Sequence, residues 1–333
     1  MSANLTQRKI AGLKAVANPR GVIAAAALDQ RGLLKKMLAK EMESGEPSDA
    51  MVSEFKEIVT DALTHHASAI LLDVEYGLPA VAHRNGKGVL LAYEKSGYDS
   101  TAPEFLPSLT DGWSALRLRE AGAHAVKILL YYSPFEKAWV NTQKQAWVER
   151  IGAECRALDI PLFLELLAYG AGEDETSLSY AKRKPEIVIR SIEEFTADRY
   201  GADVLKLEFP VHMQFVSGMS AYRGQEAYSR AEAAGHFRRA AAASTKPFVF
   251  LSAGVASSAF IEGLEFAIES GVRFHGVLCG RATWQGGVPV FAQRGAAALR
   301  EWLATQGAEN IGRINKVLEA AAPWQEKFGV GLP

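Results

Sequence analysis

The chain has 333 residues, carries a net charge of −1 from 37 Lys and Arg against 38 Asp and Glu, and is 48% hydrophobic. A balanced charge leaves no electrostatic footprint for nucleic acid or an anionic membrane as partner. No run approaches the ~18 apolar residues that would span a bilayer, and the opening MSANLTQRKIAGLKAVA lacks the apolar core of a signal peptide. Two cysteines, Cys155 and Cys279, lie far apart without metal-type spacing, so a reduced, cytoplasmic protein is expected.

In chain order, TQRKIAGLKAVA (6–17) predicts a helix packed on the outside of the fold. Short apolar, β-prone runs then recur: GVIAAAALD (21–29), SAILLD (68–73), GVLLAYE (88–94), AVKILLYY (125–132), PLFLELLAY (161–169), DVLKLEF (203–209), PFVFLSAG (247–254) and GVLCGR (276–281). The third is the weakest, because only a short Gly- and Asn-containing loop separates it from its predecessor. Helical patterns fill most gaps, such as 48–66 and 142–158, and GAAALREWLATQ (295–306) predicts a further outer helix. Strands alternating with helices indicate βαβ units and a parallel sheet. Eight of them predict closure into a (β/α)8 TIM barrel, one domain over residues 1–333 with flanking helices at both ends. A doubly wound sheet would need a Gly-rich turn after the first strand, where DQRG stands instead.

Two connections are long, 170–188 and 210–233, and both follow strands, where barrel lids form. The basic run Lys182-Arg183-Lys184 reads as a solvated face.

Charge interrupts the strands in a pattern. Asp29 ends the first, Lys127 lies in the fourth, Glu165 in the fifth and Lys206 in the sixth; Ser252 closes the seventh and Arg281 the eighth. In a barrel these groups converge at the carboxyl ends of the strands. Unpaired buried charge is too costly to be idle there. Lys206 is the candidate nucleophile: a lysine in a water-poor interior, with a second cation such as Lys127 nearby, is driven toward the free amine. Glu165 is placed to shuttle protons, and Asp29 to polarise or deprotonate a substrate hydroxyl. The set describes iminium catalysis on a ketone, with cleavage of a carbon–carbon bond. Around LSAGV (251–255) and LCGRATW (278–284), Ser252, Gly254, Gly280 and Arg281 suit a phosphate, through free backbone N–H groups and a guanidinium.

At LDQRG (28–32), LLDVEYGLPA (71–80), LLAYEKSGYD (90–99), AVKILLYY, FLELLAY, DVLKLEFPV, LSAGV and GVLCGRATW the chain resembles the tagatose 1,6-bisphosphate aldolases, from about residue 8 to about residue 320. The resemblance implies a class I, Schiff-base aldolase on a (β/α)8 fold. In it Lys206 carries the Schiff base, Glu165 and Lys127 assist proton transfer, Asp29 and Gln30 contact sugar hydroxyls, and Ser252 and Arg281 hold a phosphate. Two departures stand out: Val74 replaces an expected proline, and 210–235 diverges where the far end of the substrate would be recognised. The expected partners are a sugar-phosphate substrate and further copies of the chain, with no cofactor and no metal.

A metal-dependent aldolase would need several histidines at strand ends. Of the seven here, His212 alone follows a strand at the mouth; it reads as an ordinary loop residue, with a minor substrate contact as the sharper alternative. Tyr131, Tyr169 and Trp284 read equally as pocket lining or packing. A sulfofructose 1-phosphate aldolase would share the catalytic residues and differ at the far-end anion. Deoxyribose-phosphate aldolases and transaldolases match the motifs poorly. A regulatory protein that senses sugar phosphate on the same fold is the non-enzymatic alternative.

Overall fold

A computed structural model describes residues 5–43, 45–95 and 104–330; the end of the LLAYEKSGYD segment, 96–99, lies outside them. Eight strands form one closed, all-parallel barrel in sequence order: β1 Ile23–Leu28, β2 Ala69–Leu72, β3 Gly88–Ala92, β4 Ala125–Tyr132, β5 Leu162–Ala168, β6 Val204–Leu207, β7 Phe248–Leu251 and β8 Gly276–Cys279. Each predicted strand is present, including the third. No helix among the described residues is long and apolar enough to cross a membrane.

Alternation sorts every strand into two faces. Ala24, Ala26, Ile70, Leu91, Ile128, Leu164 and Leu205 point out and pack with the helices in one large cluster. Ala25, Ala27, Leu71, Leu90, Ala125, Phe163, Val204, Val249 and Leu278 point in and form a second. Small alanines on β1 and β4 make room for Phe163 and the leucines, the usual way a narrow barrel is filled. Outside, the helix Asp49–Thr64 begins at Ser48, whose side chain accepts from the Met51 amide, and buries Val52, Phe55, Ile58, Val59 and Leu63 on one stripe.

The terminal helix is where expectation and structure part. Gln7–Val16 is helical, but it lies across the N-terminal end of the barrel and not on its outer wall. Leu13 and Val16 join the interior cluster together with Trp324 from the far end of the chain. A side chain at Gly88 would put its Cβ 2.3 Å from the Ala15 carbonyl oxygen, so the helix meets the strand starts nearly backbone to backbone. Lys9 secures it through a buried ion pair with Asp203, 2.7 Å long. An amphipathic stripe states that a helix covers hydrocarbon; it does not state which opening. The helix Gly287–Trp302 does pack outside, through Val288, Phe291 and Leu299.

Candidate active site

The opposite end of the barrel encloses a cavity of about 970 Å³. Its floor follows from the inward alternation of the strands. Moving two residues beyond Ala125, Phe163 and Val204 gives Lys127, Glu165 and Lys206, on the same inward face but nearer the mouth. In the β5–β6 register Glu165 stands directly beside Lys206. The strand DVLKLEF therefore presents Val204 to the core and Lys206 to the cavity, and Glu208 follows at its rim.

One oxygen organises the floor. Glu165 Oε2 lies 2.8 Å from Lys206 Nζ and 2.8 Å from Lys127 Nζ. Lys127, wholly buried, also meets Asp29 Oδ2 at 2.8 Å and Glu94 Oε1 at 2.7 Å. Burial disfavours the ammonium, but Asp29, Glu165 and Glu94 outweigh it and hold Lys127 well above the ordinary lysine range. Burial works against Asp29 too, yet Lys127 and then Lys206 keep its carboxyl far below the usual carboxylate value. Glu94 goes the other way, raised by burial against the pull of Lys127. Lys127 is thus a fixed cation among three acids, and Lys206 shares one of them.

All nine residues singled out in the sequence line this one cavity. Asp29, Lys127, Glu165 and Lys206 form the floor; Gln30, Ser252, Gly254, Gly280 and Arg281 form the wall on the β1, β7 and β8 side. Ala253 and Gly254 both adopt positive φ, 47° and 77°. A Cβ on Gly254 would sit 2.3 Å from Arg281 Cζ, so glycine there lets the guanidinium lie flat on the β7 turn. Arg281 itself opens the short helix Arg281–Trp284 after Gly280. A guanidinium, a tight turn and a buried serine hydroxyl meet there, a charge and shape suited to an anion.

A family model described as DeoC/LacD family aldolase matches residues 23–286. The chain belongs to that aldolase family. A tagatose 1,6-diphosphate aldolase of Listeria monocytogenes is 51% identical over 328 residues, covering 98% of this chain and 96% of its own. Tagatose 1,6-diphosphate aldolase 2 of Enterococcus faecalis is 49% identical over 329 residues, 98% of each chain. Among solved structures, fructose-bisphosphate aldolase from Plasmodium falciparum superposes with a TM-score of 0.66 over 98% of this chain and 97% of its own; at 14% identity it shares the fold.

In this aldolase several expectations change. Lys184 is not a solvated residue of a basic face: it is buried, pairs with Glu208 and lines the cavity. The helix Leu178–Phe195 turns Tyr180, Lys184, Ile187 and Val188 inward while Lys182 stays exposed, so three adjacent cations do not share a side. Trp284 is packing, fully buried with its indole N–H donating to the Ala27 carbonyl at 2.9 Å. Tyr169 is packing as well, its hydroxyl taken between Lys144 and Glu136 at 3.0 Å each. Tyr131 and His212 do line the cavity. Burial, reinforced by Lys184, pushes His212 down to about 3, so the ring is neutral at pH 7. Both long connections reach the mouth, the second contributing Val211, Met213, Gln214, Ala221 and Arg223.

Three charged residues escaped the sequence reading. Glu94 follows β3 where Asp29 follows β1, and the rule that selected Asp29 selects it equally. Arg31 is buried beside it, donating to the Glu94 carbonyl at 2.6 Å. Lys56 lies on the buried stripe of its helix and pairs with Asp73, both wholly inaccessible. A charge on an apolar stripe was the available signal.

Proposed function

We propose that the protein is a metal-independent class I aldolase that cleaves tagatose 1,6-bisphosphate to dihydroxyacetone phosphate and glyceraldehyde 3-phosphate through a Schiff base on Lys206. The observation that carries this reading is the single Glu165 oxygen 2.8 Å from both Lys206 and Lys127 on the cavity floor. The names of the curated relatives support the substrate.

Lys206 passes a proton to Glu165 and attacks the C2 carbonyl as the free amine. A second proton moves from nitrogen to the new alkoxide, and Glu165 returns its own to expel that hydroxyl as water. The product is a protonated iminium on Lys206, with Glu165 again ionised. Lys127, whose charge is fixed by three carboxylates, holds Glu165 in place throughout. Asp29, held in its charged form, then accepts the hydrogen bond of the C4 hydroxyl and takes its proton. The C3–C4 electron pair moves into the iminium, the aldehyde leaves, and protonation at C3 followed by hydrolysis frees the second product. Ser252, the Gly254 and Gly280 turns and Arg281 hold the phosphate at C1 and fix C2 beside Lys206.

Reduction with borohydride in the presence of dihydroxyacetone phosphate tests the reading. Mass spectrometry should find the adduct on Lys206, and activity should survive EDTA. An adduct elsewhere, or loss of activity on chelation, would overturn it. Assaying the epimeric bisphosphates beside sulfofructose 1-phosphate identifies the preferred sugar.

A further inference from the structure

Asp29 owes its position to a residue that never reaches the cavity. Lys56 Nζ, on the helix behind β1, donates to the Leu28 carbonyl at 2.6 Å and to the Gln30 carbonyl at 2.8 Å. Its third bond goes to Asp73 after β2. An ammonium has three protons, and all three are used. The two carbonyls belong to the residues on either side of Asp29, so the clamp holds the peptide that enters Asp29 and the one that leaves Gln30, and with them the turn that aims the carboxylate at Lys127. Asp73 is committed in turn: its other oxygen accepts from the Glu75 and Tyr76 amides at 2.9 and 2.7 Å. Lys56 and Asp73 have no accessible side-chain surface, and the pair is absent from the cavity lining.

We infer that Lys56 is a positioning residue for the carbon–carbon cleavage step, clamping the end of β1 so that Asp29 meets the substrate hydroxyl. The physical grounds are reach and cost. A buried ion pair adds little net stability over apolar side chains of equal volume, so stability alone is a poor account of a lysine spent on two specific carbonyls. A misplacement near 1 Å at a reacting group lowers rate by about 100-fold. Burial opposes the Lys56 charge most, Asp73 and Asp29 support it, and Arg31 opposes it.

The inference rests on the Schiff-base reading, and the test separates the two. Adduct formation with dihydroxyacetone phosphate and borohydride uses Lys206, Glu165 and the phosphate cradle; cleavage of the bisphosphate also uses Asp29. The double substitution Lys56→Met/Asp73→Asn removes both charges together and keeps an acceptor for the Glu75 and Tyr76 amides. It should form the Lys206 adduct within about threefold of the wild-type rate while kcat for cleavage falls about 100-fold. In the Asp29→Asn background the same change should cost less than about threefold further, because the clamp then has nothing to aim. Equal losses in both assays, or no loss in cleavage, would overturn the inference. If the double variant does not fold, Lys56→Gln is read in the same two assays. Failure of both chains to fold would show that the lysine serves the fold and not the site. Absence of any adduct in the wild-type protein would instead remove the Schiff-base reading itself.

Discussion

The two ends of the barrel are built from the same eight strands and the same inward alternation, yet one is filled with hydrocarbon and the other with charge. At the N-terminal end Leu13, Val16 and Trp324 close over Ala25, Phe163, Val204 and their neighbours. Two residues further along, about 7 Å at the usual strand rise, the inward positions of β4, β5 and β6 become Lys127, Glu165 and Lys206. The closed end keeps a buried ion pair, Lys9 with Asp203, beside the plug. The open end buries Lys127 completely and supplies three carboxylates for it. The apolar end provides the rigidity against which the charged end can be held in register. Burial by itself does not separate core from site; the deciding feature is whether a buried charge has more partners than stability requires.

This division predicts that damage at one end should spare the other. The largest effect belongs to Lys206→Met, which should lower cleavage by about 10⁴-fold or more. Its melting temperature should stay within a few degrees of wild type, because an apolar chain of similar length replaces the amine; a collapse of the melt would mean that Lys206 is structural. Next, Trp324→Ala at the closed end should cost roughly 3–5 kcal/mol in denaturant unfolding. The folded fraction should retain its kcat, and a fall in kcat would show that the plug reaches the chemistry. Arg281→Ala should raise KM for phosphorylated substrates about 10- to 100-fold through loss of a charge-assisted contact with little change in kcat. An unaltered KM would remove Arg281 from the phosphate cradle.

The last effect is a pH dependence at the closed end. His275, buried just before β8, is pushed down by burial and then by Lys327, from 6.5 to about 4. The unfolded chain therefore binds its proton first as pH falls, so stability present above 6.5 is lost progressively toward pH 4. The loss from this one residue is roughly 3 kcal/mol at most. His275→Gln should flatten that part of the stability profile, measured by urea unfolding between pH 7 and 4, and an unchanged slope would assign the dependence elsewhere.

Much of this was legible in the sequence. Eight apolar runs separated by helical patterns are enough to announce a barrel, because alternation and spacing are local properties. Asp29, Lys127, Glu165 and Lys206 were legible for a related reason: an ionisable residue within an otherwise apolar strand must be paired or useful wherever the strand lies. Glu94 carried the same signal at the end of the strand whose pattern is weakest. Lys56 and Lys184 sit on helices, where one charged residue on an apolar stripe is easily taken for a long side chain reaching water. Their partners, Asp73 and Glu208, come from other segments. Trp284 and Tyr169 could not be assigned, since a large aromatic near a strand end fits a wall and a core equally well.

The amino-acid order alone determined the barrel, the inward face of each strand and the presence of an amine among carboxylates, since all three follow from periodicity along single segments. Only the tertiary structure decided that one Glu165 oxygen serves two lysines, that Lys127 is neutralised three times over and that the first helix closes the far end. Those are distances between segments remote in the chain, fixed by barrel closure and strand register, and no local pattern encodes them.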